Sequence, residues 1–284
     1  VFDLKKEATS QNQTSFIYAT NSSGKQVEVT RLHGEENRIW LDSDDMTPYL
    51  AKAFIAIEDE RFETHFGIDL KRTAAATIKW LTTGNSDFGG STITQQLIKK
   101  VTNDQSRSWQ RKVREIVRAI QLEQKMSKNQ IIELYMNIIY LGENSYGVET
   151  AANTYFNKSA ADLTIAECAM IGGLAQAPSS VNPFSNYEAA VKRQKLVLQR
   201  MYKNKFITKD EMNNALEEKL IFYGKKTDFN LTTLAYYKDA VMEELNNLKE
   251  IPDNYIETGG LKIWTSLDID AQTALEKGIK YILD

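Results

Sequence analysis

The sequence is poor in the residues on which several classes of site depend. It contains one cysteine, Cys168, and two histidines, His33 and His65, among 284 residues. An intrachain disulfide and a cysteine-rich zinc site are therefore excluded, and a histidine-based catalytic triad would have to use one of the two imidazoles. Carboxylates are consequently the catalytic groups we expect.

Proline, glycine and long apolar runs are also scarce. The 4 prolines and 14 glycines are far too few for a low-complexity or collagen-like chain. No apolar run approaches the ~18 to 20 residues that a bilayer-spanning helix requires. With 42% hydrophobic and 26% charged residues, the chain is expected to fold into one large domain or two unequal ones.

The formal net charge of the whole chain is only −3, but the charge is segregated locally. Nine basic residues oppose three acidic ones between positions 99 and 128. Such a cluster favours an anionic partner, namely phosphate, nucleic acid or an anionic lipid headgroup, although a solvated helix face with intrahelical ion pairs explains it as well. The sequence has no basic tail, no aromatic–basic interleaving and no Walker-type loop, which argues against nucleic acid.

The pattern of apolar and turn residues predicts a mainly helical chain after a short β segment. Thr14 to Thr20 and Gln26 to Arg31 flank a turn cluster and predict a hairpin. Capping boxes predict helix starts at Ser127, Thr164 and Thr208. Helices are predicted near 47–58, 69–83, 92–102, 109–126, 128–140, 146–156, 164–175, 187–204, 208–219 and 232–249.

The pattern changes again after Pro252. Gly259-Gly260 precede a short predicted strand, Leu261 to Thr265, and Asp268 opens a last helix. The predicted domains are a β segment over 1–45, a helical domain over 46–222 and a β/α linker over 223–284.

An acidic cluster, Glu58-Asp59-Glu60, follows the apolar face of the first helix. The helix macrodipole disfavours acids at a C-terminus by about 0.3 to 1 kcal/mol each, and costs of this kind are typical of functional sites. The alternative is that Glu60 and Glu63 only pair with Arg61 and solvent.

A glycine pair, Gly89-Gly90, leads through hydroxyl residues into another helix. Its free N–H groups predict an anion site, with Gln95 and Gln96 in the first turns and Lys99 one turn later. The alternative is an ordinary Ser or Thr cap behind a glycine hinge.

The third candidate is a cationic helix on which Arg111 and Lys112 share a face with Glu115, a spacing that a surface ion pair also explains. What favours function is the combination of an acid-bearing loop, a glycine-led helix and a cationic helix. Together they suit transfer of a sugar from a diphosphate, because cations stabilise the leaving group while one carboxylate takes the proton of the attacking hydroxyl.

Five ordered motifs carry these residues. They are E-D-x-x-F-x-x-H-x-G from Glu58 to Gly67, G-G-S-T-I-T-Q-Q-L-x-K-N from Gly89 to Lys100, R-K-x-x-E-x-x-x-A from Arg111 to Ala119, Tyr146-Gly147-Val148-Glu149, and Ala166-Glu167 through Pro178. The set resembles the glycosyltransferase domain of class A penicillin-binding proteins, peptidoglycan glycosyltransferase family 51. Three positions depart from the family pattern, Lys100 for Asn, Thr150 for Ala and Ala175 for Pro, and they leave the acidic pair untouched.

The resemblance implies a mainly α, lysozyme-like glycosyltransferase fold with a small N-terminal β hairpin and a short C-terminal β/α linker. It implies that Glu58 is the base that deprotonates the 4-hydroxyl of the acceptor N-acetylglucosamine on lipid II, and that Glu115 is the second carboxylate, near the donor pyrophosphate. Inversion at the donor's anomeric carbon then gives a β-1,4 link and releases undecaprenyl pyrophosphate. The residues implied in substrate binding are Asp59, Arg61, His65, Ser91, Thr92, Gln95, Gln96, Lys99, Arg107, Arg111 and Lys112.

The same resemblance implies the setting of the reaction. The expected partners are lipid II, the growing glycan-diphosphate-undecaprenol, the membrane surface and a moenomycin-type phosphoglycolipid inhibitor, but no nucleic acid. The expected location is the extracytoplasmic face of the bacterial cell membrane, with the family's N-terminal anchor missing from this chain and a transpeptidase domain absent after the linker. No cofactor is expected to be required. A divalent cation such as Mg²⁺ or Mn²⁺ could assist the diphosphate, although no ligand cluster has metal-specific spacing.

Two other functions stay open at this point. A muramidase or lytic transglycosylase shares the architecture and the paired acids but cleaves glycan instead of joining it. A non-catalytic cell-wall scaffold would keep only the fold, and the intact Glu58 and Glu115 argue against it.

Overall fold

The computed structural model describes residues 12–83, 90–102, 108–224, 235–248, 250–252 and 255–275. The chain divides into two compact units. The helical unit is Trp40–Gly224, and the sheet unit combines Gln11–Ile39 with Lys225–Asp284. The domain boundaries predicted from the sequence stay a prediction.

Helices dominate the described residues, which confirms the mainly α fold class. The helical unit contains α1 (Pro48–Glu58), α2 (Leu70–Thr83), α3 (Ile93–Thr102), α4 (Trp109–Glu123), α5 (Lys128–Ile138), α6 (Val148–Phe156), α7 (Ile165–Leu174), α8 (Tyr187–Lys203) and α9 (Lys209–Glu217). The sheet unit contains α10 (Ala235–Asn246) and α11 (Tyr255–Thr258). The strands of the chain are β1 (Ser15–Thr20), β2 (Gln26–Leu32), β3 (Asn37–Arg38), β4 (Ser145–Tyr146) and β5 (Lys262–Asp268).

The predicted helix starts are confirmed by their capping contacts. Ser127, Thr164 and Thr208 each form a complete capping box with the residue three positions on. Pro48 occupies the first turn of α1, where its missing N–H costs nothing. One predicted start is two residues early, because Gly147 at φ 81 is the N-cap of α6 and the helix begins only at Val148.

The core of the helical unit is organised around α7, which packs against both α1 and α8. Every residue from Ala166 to Leu174 is buried. A Cβ on Gly172 would lie 3.0 Å from the Cβ of Ala53 in α1, and one on Gly173 would lie 3.0 Å from the Cγ of Arg193 in α8. The two glycines therefore let α1 and α8 approach α7 closely, and this positions Arg193 beside the end of α1.

The sheet unit joins sequence from both ends of the chain. Its sheet has the order β2-β1-β5, in which β1 pairs antiparallel with β2 and parallel with β5. Ile17 and Leu32 pack in a core with residues of α10 and α11, namely Val241, Leu245 and Ile256. The hairpin and the late strand were predicted, and residues 269–275 continue as the predicted helix. Their pairing into one sheet was not predicted.

None of the helices within the described ranges is both long enough and apolar enough to cross a membrane.

Candidate active site

Glu58 is the last residue of α1, and its carboxylate is held between two other helices. Gln96 Nε2 in α3 donates to Glu58 Oε2 at 3.0 Å. Arg193 Nη2 in α8 lies 3.7 Å from Glu58 Oε1. The Glu58 side chain is 10% exposed, so it is sheltered from bulk solvent and still accessible at the surface. The carboxylate therefore has a hydrogen-bond donor and a cation beside it and can still reach a bound molecule.

Gln96 is fixed from its other side by a buried tyrosine. Tyr135 Oη in α5 donates to Gln96 Oε1 at 3.1 Å, and Tyr135 is 0% exposed. The three side chains therefore form one hydrogen-bonded line from α5 through α3 to the end of α1.

Asp59 follows Glu58 but has a different environment. It is 0% exposed, and its Oδ2 accepts hydrogen bonds from His65 Nε2 at 2.8 Å and from the backbone N–H of Ile93 at 3.0 Å. The N–H of Gly67 donates to His65 Nδ1 at 3.1 Å, which leaves the proton of the neutral imidazole on Nε2, facing Asp59. Asp59 and His65 thus tie the loop after α1 to the first turn of α3.

The N-terminus of α3 was predicted to bind a ligand anion through free N–H groups, and in the structure N–H groups at this terminus donate to side chains of the chain itself. The anion at this terminus is the chain's own Asp59, bound to Ile93 N–H. Thr92 N–H donates to Gln95 Oε1 at 3.0 Å and Gln95 N–H donates to Thr92 Oγ1 at 3.1 Å, so these donors are also satisfied internally. Thr92 and Gln95 are 0% and 2% exposed, which places them in the core of this helix start.

A second, partly buried network supports the same helix start. Thr94 Oγ1 donates to Glu123 Oε1 at 2.6 Å, and Lys128 Nζ pairs with Glu123 Oε2 at 2.5 Å. Lys128 also donates to the His65 carbonyl at 2.7 Å. Hydrogen bonds and one ion pair therefore connect the start of α3, the end of α4 and the start of α5 to the loop that carries the first motif.

Glu115 lies on the face of α4 that looks toward α3. Its side chain is 5% exposed and forms ion pairs with both Arg111 and Lys112, the former at 2.5 Å from Arg111 Nη1 to Glu115 Oε2. Lys112 Nζ also donates to Ser91 Oγ at 2.9 Å. The carboxylate thus holds two cations in place, and the trio keeps a net positive charge.

A small depression opens between α3 and α4, with a volume of about 200 Å³ that includes its open mouth. It is lined by Ile98, Lys99, Thr102, Arg111, Arg114, Glu115 and Arg118. Four of these seven side chains are cationic. Lys99 follows Gln96 by three residues, about 4.5 Å along a helix axis, so α3 presents the amide that contacts Glu58 and a lysine of the cationic depression about one turn apart.

Arg61 and Arg72 are held by Asp69, just before α2. Arg61 Nε donates to Asp69 Oδ2 at 2.8 Å, and the backbone N–H of Arg72 donates to Asp69 Oδ1 at 3.1 Å. Burial alone would raise the pKa of Asp69, but these donors outweigh it and hold the pKa below its usual value. Arg72 Nη1 also donates to the Glu58 carbonyl, which caps the end of α1 with a cation.

The structure brings most of the sequence-predicted residues together on α1, α3, α4 and the loops that join them. Arg107 lies outside the described residues. Arg193 and Arg72 were missed by sequence reasoning. A basic residue in the first turn of α2 opposes the helix dipole and could have drawn attention to Arg72. The Gly172-Gly173 pair inside α7 indicates close approach by another helix, but it does not say that this helix carries Arg193.

Within the described ranges, no group of three or more His, Cys, Asp or Glu side chains could hold a metal ion.

Comparison with known proteins places this chain in a family. Residues 24–202 match the transglycosylase family. The chain is 34% identical to penicillin-binding protein 2D of Bacillus subtilis over 94% of its own length, and 38% identical to penicillin-binding protein 1A of Neisseria gonorrhoeae over 90%. It spans only 38% and 32% of the length of these two relatives.

A solved structure gives the same answer for the fold. Penicillin-binding protein 1A from Haemophilus influenzae superposes with a TM-score of 0.50 and 25% sequence identity, over 93% of this chain and 29% of that one. The resemblance predicted from the five motifs is confirmed, and the chain belongs to the transglycosylase family, as a homologue of the glycosyltransferase region of class A penicillin-binding proteins.

Proposed function

We propose that the chain is a peptidoglycan glycosyltransferase that polymerises lipid II into β-1,4-linked glycan and releases undecaprenyl pyrophosphate. The observation that carries this proposal is the arrangement on α3, where Gln96 contacts a carboxylate and Lys99 lines a cationic depression one turn later. A proton acceptor beside an anion-binding surface is what glycosyl transfer from a diphosphate requires.

Glu58 is the proposed general base. An ionised Glu58 takes the proton of the acceptor 4-hydroxyl as the oxygen bonds to the anomeric carbon of the donor. The carbon–oxygen bond to the diphosphate breaks at the same time, and its electron pair leaves with the diphosphate. Attack opposite the leaving group inverts the configuration. Asp59 and Glu115 are less suited to this role, because both are more deeply buried and already engaged by partners within the chain.

The departing diphosphate is the proposed ligand of the cationic depression. Lys99 and Arg111, which line the depression, and Lys112, which pairs with Glu115, would neutralise its charge, so that no general acid is needed at the leaving group. Glu115 would act by holding Arg111 and Lys112 in position. The reaction needs no redox or group-carrying cofactor, and a divalent cation would add to the charge that these side chains supply.

The remaining motif residues have a positioning role in this proposal. Asp59, His65, Thr92 and Gln95 hold the loop after α1 against the start of α3, which fixes Gln96 beside Glu58. Arg61 binds Asp69 at the start of α2. The partners and location expected from the family, namely a lipid-linked glycan at the membrane surface and inhibition by a moenomycin-type phosphoglycolipid, follow from the same assignment.

The test is Glu58→Gln, which keeps the size of the side chain and removes its basicity. We expect polymerisation of lipid II, followed by gel separation of labelled glycan strands, to fall by about 10³-fold. Glu60→Gln is the matched control, since Glu60 lies in the same motif, is 32% exposed and contacts Arg61. Circular dichroism should be unchanged in both variants.

Near wild-type polymerisation by the Glu58→Gln variant would contradict the proposal. The same purified chain should also be incubated with polymerised glycan. Release of muropeptides there would instead support a lytic enzyme.

A further inference from the structure

The geometry points to Tyr135 as a positioning residue that orients the proposed base Glu58 through the side-chain amide of Gln96. This inference rests on the function proposed for Glu58. It concerns a residue that touches neither the carboxylate nor the open surface of the site.

The contacts form an unbroken line. Tyr135 Oη lies 3.1 Å from Gln96 Oε1, and Gln96 Nε2 lies 3.0 Å from Glu58 Oε2. The tyrosine ring packs edge-on against Phe54, with ring centroids 5.8 Å apart and an angle of 82° between the planes. Because Phe54 is one turn before Glu58 in α1, the same helix fixes the ring and carries the carboxylate.

The direction of every hydrogen bond in this line follows from the charge on Glu58. An ionised carboxylate only accepts hydrogen bonds, so the amide must turn its NH₂ group toward Glu58 and its oxygen toward Tyr135. The hydroxyl must then donate. Burial, and after it the charges of Glu58 and Asp59, raise the pKa of Tyr135 well above its usual value, so that the hydroxyl keeps its proton at working pH.

Other charged groups also act on Glu58. Arg193 approaches it from α8, and Arg72 caps its backbone carbonyl from α2. The electrostatic influence of Glu58 also reaches Lys100 in α3. In the described part of the chain, none of these three cations bonds to the Gln96 amide oxygen, which accepts from Tyr135. Tyr135 therefore makes a separate contribution, which is to hold the amide in the orientation that the charged base requires.

Removing the hydroxyl should loosen the amide and leave its oxygen buried without this partner. The carboxylate would then have a less firmly placed N–H donor and a wider range of positions. Both effects act on proton transfer and not on donor binding, which takes place at the cationic depression.

The experiment uses Tyr135→Phe in the full chain, with Tyr155→Phe as the matched control. Tyr155 is also 0% exposed, and its hydroxyl donates to the Leu141 carbonyl at 2.9 Å, outside this line. We expect Tyr135→Phe to lower kcat for lipid II polymerisation about 10-fold, with KM changed by less than about twofold. Tyr155→Phe should leave kcat unchanged.

A second variant tests whether Tyr135 acts through Gln96. Gln96→Leu removes both amide hydrogen bonds, and in this background Tyr135→Phe should cause no further loss of kcat. Multiplying losses would overturn the inference, as would equal effects of Tyr135→Phe and Tyr155→Phe. If the Tyr135→Phe variant does not fold, the Gln96→Leu variant alone provides the test. A kcat equal to that of the wild type in Gln96→Leu would then overturn the inference. Activity surviving in Glu58→Gln would instead refute the proposed function itself, whatever the tyrosine variants show.

Discussion

At the scale of single residues, the site depends on a position where no side chain fits. Gly67 has a φ of +102°, and a Cβ there would lie 2.6 Å from the carbonyl oxygen of Ala119 in α4. The same residue donates its N–H to His65 and accepts from Thr92 Oγ1 at 2.7 Å. Its backbone therefore connects the first motif to both α3 and α4.

Gly67→Ala should consequently destabilise the protein strongly. We expect the free energy of unfolding to fall by about 3 kcal/mol, since positive φ and close contact with backbone act together. Gly224→Ala is the control, because Gly224 shares a positive φ of +78° but its nearest neighbour is 3.7 Å away. That variant should lose only about 1 kcal/mol. Urea unfolding followed by circular dichroism measures both, and equal losses would show that φ alone is responsible.

Residue types and spacing were enough to predict which carboxylates and cations to expect, but not their partners. Glu58 and Glu115 are visible in the sequence as misplaced or paired acids. Arg193 is not, because nothing near it in the sequence indicates that α8 reaches the end of α1. Asp59 was expected to touch substrate, and its complete burial between His65 and Ile93 could be learned only from the fold.

At the scale of elements, Asp69 combines a helix cap with an ion pair at the start of α2. We expect Asp69→Asn to lower the free energy of unfolding by about 2 kcal/mol at neutral pH, because the asparagine can still cap but cannot balance Arg61. The pKa of Asp69 is depressed in the folded state, so its contribution is complete above its unfolded pKa of about 4. That contribution is lost as the pH falls through the folded-state pKa.

The difference between wild type and Asp69→Asn should therefore shrink on acidification. Urea unfolding between neutral pH and pH 3 measures it. Asp210→Asn serves as the control, since Asp210 is an exposed acid in the first turn of α9. A difference that grew at low pH would contradict the assignment.

The cationic depression is lined by residues of two elements, α3 and α4, and we expect its cations to determine the affinity for the donor. Lys99→Ala and Arg111→Ala should each raise KM for lipid II about 10-fold, and the dependence of KM on salt should weaken because a charge that binds the diphosphate is gone. Lys209→Ala removes an exposed lysine from α9 and should leave both unchanged. Steady-state kinetics at two ionic strengths would decide, and unchanged KM in the first two variants would count against the proposed donor site.

Helix boundaries were the most predictable feature, because capping boxes and prolines act locally. The start of α3 shows a feature that the local sequence does not predict. The local pattern predicted N–H groups in need of partners outside the helix, but the group that binds Ile93 N–H comes from Asp59, which is distant in sequence. A helix terminus can therefore be predicted from sequence, whereas the identity of its anion depends on tertiary packing.

At the scale of the whole molecule, the sheet unit makes the two ends of the chain depend on each other. Without residues 260–284, β1 would lose its parallel partner β5. We expect amide hydrogen exchange of residues 15–20 to become faster in a chain truncated before residue 260. Amides of α7 provide the internal reference, because that helix is buried within the helical unit. Unchanged protection of β1 would show that the hairpin is stable alone.

The pairing of β1 with β5 could not be predicted from the sequence. Each strand was visible as a local pattern, but a parallel partner leaves no mark on the residues between the strands. Composition suggested one or two domains, and only the structure shows that the smaller unit is assembled from both ends of the chain.

The regular geometry of α3 has a consequence for how the two halves of the proposed reaction are matched. Gln96 at the base and Lys99 at the phosphate site share one rigid helix, so their separation is set by backbone hydrogen bonds and not by flexible loops. Inserting a single alanine between them would rotate Lys99 by about 100° and shift it by about 1.5 Å. Glu58 could then still accept a proton and Lys99 could still bind a diphosphate. The two groups would no longer be placed to act on the same pair of substrates.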